Sequence, residues 1–149
     1  MNTSVTRENI LGLARRACDT LMAKFHAPDL PPAGQFHYHQ GVFLSGMMQV
    51  WKLTGEEKYY NYIKEWVDAR IRPDGNIYNF NPGQLDDLQP GVLLFPIYDR
   101  TRDERYRLAM DTIAYYMNHT ATNPEGGFWH KAGTGTRCGW TACTWRGRI

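Results

Sequence analysis

The stretch QGVFLSGMMQVWKLTGEEKYYNYIKEWVDAR, residues 40–70, decides the fold. Apolar residues recur in it at spacings of three and four on both sides of Thr54-Gly55, which is the pattern of amphipathic helices. A glycine just after the last periodic residue is typical of a helix end. The stretch therefore predicts an αα-hairpin with a tight turn, its helices running over about 40–53 and 57–71.

The landmarks of this hairpin return in the same order later in the chain. The matched segments are QGVFL (40–44) with QPGVLL (89–94), TGEEKYY (54–60) with TRDERYR (101–107), and PDGNIY (73–78) with PEGGFW (124–129). The second pair is offset by 47 residues and the third by 51. A period of this size is typical of stacked helical units, each of which cannot cover its apolar face alone.

The remaining helices complete an all-α prediction. A first helix is expected over about 10–25 and a fifth over about 103–118, and no segment has a convincing strand pattern. The fourth helix is expected to start at Asp86 or Asp87, either of which could cap it, and Pro96 is expected to kink it. The fold class is therefore all-α, built from αα-hairpin repeats.

Composition excludes several classes of protein. The 149 residues are 42% hydrophobic and 21% charged, as in a globular domain, and no apolar run approaches the roughly 20 residues of a membrane span. The net charge of +2 leaves no basic patch for nucleic acid outside residues 132–149. The start of the chain does not resemble a signal peptide, which favours a cytoplasmic location. Three cysteines without a CxxC motif predict neither a disulfide framework nor a metal site.

The long connections of the repeat are expected to lie at one end of the stack. These connections are residues 72–86, the segment after His119 and the joint before Gln40, and they are rich in aromatic, histidine and asparagine side chains. Aromatic faces beside polar hydrogen-bonding groups suit a carbohydrate cleft. His37 and His39, which flank Tyr38, are interpreted as cap or rim residues.

Three segments carry a family resemblance: FHYHQGVFLSGMMQVWKLTG (36–55), LDDLQPGVLLFPIYDRTRDERY (85–106) and EGGFWHK (125–131). Together they resemble the N-terminal third of glycoside hydrolase family 105, the unsaturated rhamnogalacturonyl and glucuronyl hydrolases, over about residues 10–131. The resemblance implies an (α/α)6 barrel, of which residues 1–131 would form about two and a half of six hairpins. It also implies a cytoplasmic enzyme that acts on oligosaccharides and uses no metal or organic cofactor.

The resemblance implies a site as well as a fold. In this family a carboxylic acid protonates C4 of a Δ4,5-unsaturated uronic acid, water adds at C5, and the neighbouring sugar is released. Tyr38 looks like an aromatic residue that contacts substrate, and Asp86 looks like a carboxylate near the unsaturated ring. His130 and Lys131 look like cleft residues that bind the uronate. The structural alternatives are a helix cap for Asp86 and a solvated charge for Lys131.

The segment after Lys131 departs from the family. There, FWHK is followed by a peptide like Gln-Met-Trp-Leu-Asp-Gly-Leu-Tyr-Met, whose Asp is the main catalytic acid and base. Residues 132–149 contain no carboxylate. Trp140-Thr141 must be encoded TGG-ACN, which reads GAC, the codon for Asp, in another frame. We therefore expect residues 132–149 to be a frameshifted or non-native tail, and the chain to be truncated and inactive.

Three other classes of protein remain open. They are a family 88 unsaturated glucuronyl hydrolase, another (α/α)6 sugar enzyme, and a noncatalytic helical-repeat binding module. Binding modules of the tetratricopeptide kind repeat at about 34 residues, which the offsets of 47 and 51 disfavour. The self-association of the full-length protein is left open.

The coding DNA tests the interpretation of the tail. We expect the alternative frame after codon 131 to spell Gln-Met-Trp-Leu-Asp-Gly-Leu-Tyr-Met, because the neighbouring codons permit that peptide in unbroken order. Sequencing through and past this codon is sufficient. Any other peptide in that frame would rule the frameshift out.

Overall fold

The computed structural model describes residues 6–120, 122, 127 and 128, and these residues are arranged as helices. The α-helices among them are α1 (Arg7–Lys24), α2 (Tyr38–Thr54), α3 (Glu57–Asp68), α4 (Leu94–Thr101) and α5 (Glu104–His119). Short 3-10 turns cover Ala27–Asp29, Leu85–Asp87 and Gln89–Leu93. No strand occurs in the described part, where β-pairing is confined to two isolated bridges. The all-α prediction is confirmed.

The predicted tight turn closes in the same way in both repeats. Gly55 ends α2 with a φ of 71° and donates its N–H to the carbonyl of Trp51 at 2.7 Å. Arg102, 47 residues later, ends α4 with a φ of 56° and donates to Tyr98 at 2.8 Å. Glycine adopts this left-handed conformation freely, whereas arginine pays roughly 1–2 kcal/mol for it. The repeat therefore preserves the turn even where the favoured residue is absent.

A buried tyrosine links α3 to α1, and an equivalent buried tyrosine links α5 to α3. The hydroxyl of Tyr59 donates to Asp19 on α1 at 3.0 Å, and that of Tyr106 donates to Asp68 on α3. The basic residue before each tyrosine pairs with the same carboxylate at 2.7 Å. Burial raises the pKa of both phenols, so they remain neutral donors. Helices α1, α3 and α5 are thus linked by one repeated contact.

The exit loops also repeat their geometry. An antiparallel bridge pairs Ile71 with Ile77 after the first hairpin, and Thr122 with Phe128 after the second. Both members of the second pair lie 51 residues after their counterparts, the offset that the PDGNIY and PEGGFW segments predict. The repeated order of turn and exit loop is therefore confirmed for the described residues.

The start of α2 packs closely against the turn Gln89–Leu93. Gly41 is buried at this crossing, and a Cβ there would lie 1.8 Å from Gln89 Oε1 and 3.0 Å from Pro90 Cα. A side chain of any size is excluded at such distances. The absence of a side chain at Gly41 therefore lets α2 reach the segment that follows Asp87.

A buried arginine organises the joint between α1 and α2. Arg70, only 4% exposed, donates from Nε to the carbonyl of Gln35 at 3.1 Å and from a terminal nitrogen to that of Pro28 at 2.7 Å. Its guanidinium also lies over the ring of Trp66. Burial lowers the pKa of this guanidinium, which stays charged at neutral pH. Arg70 thereby fixes the backbone that leads into α2.

The predicted start of the fourth helix is wrong. The chain forms 3-10 turns from Leu85 onwards, and α4 begins only at Leu94. Neither Asp86 nor Asp87 caps a helix, because no side-chain cap bond is made to these turns or to α4. Pro96 does not kink α4 but lies in its first turn, where a missing N–H costs nothing.

Gly41→Ala tests the close crossing of α2. We expect a loss of about 1–3 kcal/mol in the free energy of unfolding, since the new methyl group overlaps Gln89 and the backbone of Pro90. The matched control is Gly46→Ala on the same helix, where nothing lies within 4 Å of an added Cβ. That change should stabilise by about 0.5–1 kcal/mol through helix propensity. Equal effects in urea denaturation would show that the crossing is not tight.

Candidate functional site

The start of α2 and the turn Leu85–Asp87 bring an aromatic residue and two carboxyls together. His37, just before α2, places Nε2 3.9 Å from Asp86 Oδ2 and 3.9 Å from Asp87 Oδ1. The ring of Tyr38 lies 4.8 Å from that of His37, measured between centroids. The structure therefore places Tyr38 and Asp86, which were singled out from the sequence, around one imidazole. We name Tyr38, Asp86, Asp87, His37 and His39 the carboxyl–histidine cluster.

The aromatic side of the cluster is a set of three adjoining rings. The rings of Tyr38 and His39 are 4.0 Å apart, and those of His37 and His39 stack at 4.8 Å with an interplanar angle of 17°. The two histidines also share a hydrogen bond between their Nδ1 atoms at 2.9 Å. Tyr38 is half-buried and His39 is exposed, so this wall is accessible from outside.

Asp87 is the buried member of the carboxyl pair. Its side chain is 8% exposed against 18% for Asp86, and its Oδ2 accepts the N–H of Asn81 at 2.8 Å. Burial raises the pKa of the Asp87 carboxyl, while the bond from Asn81 and the neighbouring His37 act in the opposite direction. The sequence interpretation of Asp87 as a helix cap missed this environment. The LDD motif alone gives no signal of which carboxyl is buried.

The loop before the turn Leu85–Asp87 is anchored to the joint that precedes α2. Asn79, with a φ of 53°, donates from its side chain to the carbonyl of Gly34 at 3.0 Å. Tyr78 donates its N–H to Arg70, the residue that also holds the joint. These bonds fix the two chain segments that supply the cluster relative to each other.

Two of the predicted site residues lie outside the described residues. His130 and Lys131 were expected to bind the uronate, and they stay predictions. No group of three or more metal-ligating side chains is found in the part of the chain that the structure describes. None of the helices in that part has the length and apolar character needed to cross a bilayer.

Two surface depressions of the described residues lie away from the carboxyl–histidine cluster or at its edge. One, of about 460 Å³, lies between the loop at Asp74 and the exposed side of α5 near Tyr115. Another, of about 360 Å³, lies between the end of α1 and the start of α2, and includes His39. Neither is lined by Asp86 or Asp87. We place the candidate site at the cluster because chemistry capable of proton transfer is concentrated there.

Stacked αα-hairpins with an aromatic wall and a carboxyl pair at one end are typical of helical enzymes that act on carbohydrates. Comparison with known proteins identifies the family. The model of Glycosyl Hydrolase Family 88 matches residues 13–141, and the chain belongs to this family. The matched range includes residues 132–141, which lie outside the described residues, so the frameshifted tail stays a prediction.

A solved structure of the same general class supports the assignment. The family 105 glycoside hydrolase of C. acetobutylicum ATCC 824 is 26% identical, with a TM-score of 0.71. The match covers 80% of this chain and 32% of that protein, so the chain spans about a third of its length. The resemblance to family 105 is confirmed, and the described helices correspond to part of an (α/α)6 barrel.

The buried carboxyl makes a prediction about stability and pH. The raised pKa of Asp87 means that its ionisation disfavours the folded state, so its contribution to stability falls as pH rises. This loss begins near the unfolded value of about 3.9 and is complete above the folded pKa. Asp87→Asn removes the charge and still offers an oxygen to the N–H of Asn81.

We therefore expect the stability of Asp87→Asn relative to wild type to increase as pH rises through this window. Urea denaturation at a series of pH values measures the difference in the free energy of unfolding. Below the window both side chains are neutral, so the two proteins serve as each other's control. A difference that does not vary with pH would contradict the assignment of Asp87 as a strained buried carboxyl.

Proposed function

We propose that this chain forms part of the substrate cleft of a hydrolase that removes Δ4,5-unsaturated uronic acids from the ends of oligosaccharides. The observation that carries the proposal is the convergence of Tyr38 with Asp86 and Asp87 at the start of α2. Membership of a glycosyl hydrolase family supports the reaction class. A cytoplasmic location and the absence of a cofactor requirement are part of the same proposal.

The aromatic wall suits a sugar ring. The C–H face of a sugar packs against an aromatic ring, and its hydroxyls seek hydrogen-bonding partners at the edge of that ring. Tyr38 supplies the ring, and its neighbours His37 and Asp86 supply polar atoms beside it. A planar unsaturated ring gains more contact from such a wall than a chair-shaped sugar does. Within the described residues, Tyr38 is therefore the proposed platform of the subsite.

The carboxyls suit the electrostatics of an enol ether. Hydration transfers a proton to C4 and the oxygen of water to C5, and the proton released by the water returns to a carboxylate. Asp86, the more exposed of the pair, is the proposed carboxylate next to the unsaturated ring. Asp87 lies behind it and holds Asn81, so it shapes the loop that carries both. Hydration of a double bond needs no pair of carboxyls across an anomeric centre.

We propose that this chain binds the unsaturated uronate substrate but does not hydrolyse it. The family peptide that carries the main acid and base does not follow FWHK in this sequence, and residues 132–149 hold no carboxylate to replace it. The pair Asp86 and Asp87 would then stabilise the uronate site but leave C4 without its proton donor. His130 and Lys131 complete the proposed set of binding residues.

A family 88 type of specificity is the alternative within the class. The matching family model is that of family 88, whereas the solved relative belongs to family 105. A helical-repeat module of the tetratricopeptide kind is disfavoured by the structural repeat of 47 residues, which is longer than the roughly 34 of those modules.

Binding of an unsaturated uronate disaccharide tests the proposal. We expect saturable chemical-shift changes in the NMR spectrum of the chain at residues 37–39 and 86–87. Tyr38→Ala should bind about tenfold more weakly, since one stacked ring contributes on the order of 1 kcal/mol. The control is Tyr98→Ala, which removes a tyrosine near the opposite end of the repeat, where α4 terminates. The saturated disaccharide serves as the matched ligand and should bind more weakly.

The same mixture reports turnover. The absorbance of the conjugated double bond should stay constant with this chain, because the main acid is absent. A steady fall in absorbance would show that residues 1–149 are active and would overturn the proposed inactivity. Shift changes that spread over α5 but spare the start of α2 would place the sugar elsewhere and sink the assignment of the site.

A further inference from the structure

The proton transfer proposed above uses neither histidine of the cluster, yet His37 lies beside both carboxyls and His39 is hydrogen-bonded to His37. His37 Nε2 is equidistant, at 3.9 Å, from Asp86 Oδ2 and Asp87 Oδ1, and its Nδ1 is 2.9 Å from Nδ1 of His39. The side chain of His37 is 17% exposed, so this ring is held among its neighbours. The titratable side chains that the structure places against it are Asp86, Asp87, Tyr38 and His39.

A capping role does not explain His37. It occupies the residue before α2, but its side chain makes no cap hydrogen bond to the helix. Its backbone carbonyl accepts the N–H of Gly41, which any residue at this position would provide. His37 thus occupies the N-cap position of α2, in line with its interpretation as a cap or rim residue, but its side chain does not act as a cap. The imidazole is directed instead towards the carboxyls on one side and His39 on the other.

The contact between the two histidines fixes where their protons lie. A hydrogen bond between two Nδ1 atoms needs one donor and one acceptor, so only one of these atoms carries hydrogen. In the neutral pair, the carboxylates favour a proton on Nε2 of His37, which leaves its Nδ1 as the acceptor. His39 must then donate from Nδ1. In the neutral pair, the carboxylates and the bond from His39 therefore favour the same tautomer of His37.

The same bond limits the charge of the pair. When one proton is added, both nitrogens of His37 carry hydrogen, and its Nδ1–H donates to His39. The positive charge then lies beside the two carboxyls, where opposite charge favours it. A second added proton would leave no acceptor between the rings and would place like charges 2.9 Å apart. Once the pair has taken up one proton, its positive charge therefore lies on His37.

We propose that His37 is a positioning residue of the cluster, which directs its Nε2–H at Asp86 and Asp87 and has its tautomer set by His39. The inference rests on the proposed function, because it assigns His37 the task of holding the carboxyls that face the sugar. The separation of 3.9 Å exceeds a hydrogen bond, and contacts of this kind tighten when substrate arrives. Because the imidazole is equally far from both carboxyls, it holds their relative positions without favouring contact with one over the other.

Titration of Asp87 followed by carboxyl ¹³C NMR tests the inference on the intact chain. In His37→Gln the side chain keeps an N–H donor but cannot take up a proton. We expect the midpoint of Asp87 to move to higher pH, because the ionised carboxyl loses a positive neighbour. The control is His119→Gln on α5, where the ring stacks on Tyr115 and the structure gives it no contact with the cluster. This variant should leave the midpoint of Asp87 where it is.

Imidazole ¹⁵N NMR supplies an independent measurement. In the neutral pair of the wild-type chain we expect hydrogen on Nε2 of His37 and on Nδ1 of His39. His39→Phe keeps a stacked ring but removes the donor, so the preference of His37 for the tautomer with hydrogen on Nε2 should weaken to what the carboxylates alone maintain. If His37→Gln fails to fold, the ¹⁵N assignment and His39→Phe still decide the matter. A His39 ring protonated on Nε2 in the neutral pair would contradict the proposal.

The experiments distinguish a failure of the positioning role of His37 from a failure of the proposed function. An Asp87 midpoint that stays unchanged in His37→Gln, even with reduced stability, would mean that His37 only packs, and would overturn the inference. Sugar binding by such a chain would leave the proposed function standing. A shifted midpoint and the expected tautomers, in a chain that binds no unsaturated uronate, would support the positioning role and contradict the proposed function.

Discussion

The close contact of Gly41 with the side chain of Gln89 and the backbone of Pro90 is the constraint on which the candidate site depends. Helix α2 carries Tyr38 on its first turn, and the turn Leu85–Asp87 ends two residues before Gln89. A close approach at Gly41 therefore determines the distance between the aromatic ring and the carboxyls one turn away. Packing at this density transmits small displacements, because a well-packed interior has no free volume to absorb them. The site is thus a consequence of helix packing, with loops adding its detail.

Arg70 completes this constraint from the other side. Helix packing fixes the direction of α2, but the joint before it contains prolines and glycine, and its regular structure is limited to the 3-10 turn Ala27–Asp29. The buried guanidinium satisfies carbonyls at Pro28 and Gln35, which would otherwise be costly to bury. Since Arg70 also accepts the N–H of Tyr78 through its carbonyl, one residue connects the joint to the exit loop. The segments on both sides of the cluster are therefore held by a single position on the chain.

The sequence predicted the features that depend on neighbouring residues, such as the helices and their turns. The features it did not predict depend on contacts between distant parts of the chain. The turns at Gly55 and Arg102 follow from helix periodicity and from hydrogen bonds within a few residues, so the repeat was readable from the sequence. The start of α4 was misplaced because Pro90 and Pro96 both tolerate a helix start, and only packing chooses between them. The distinction between Asp86 and Asp87 was invisible for the same reason, since adjacent carboxyls differ only in what surrounds them. The pairing of His37 with His39 likewise depends on side-chain directions at the first turn of α2, which periodicity does not specify.

Burial of the charged form of Asp87 lowers the stability of the fold, and this raises the question of why a carboxyl is present at position 87. Burying Asp87 beside a second carboxyl opposes its ionisation, and one backbone N–H and a nearby imidazole offset this only in part. An apolar residue at position 87 would avoid the penalty, although the N–H of Asn81 would then lose its acceptor. That single hydrogen bond to backbone could equally be made by a neutral Asn, without any charge. Local structure therefore needs an oxygen at position 87 but not a carboxylate. Folding therefore does not account for a charge at position 87, whereas the transfer of a proton in the proposed reaction would.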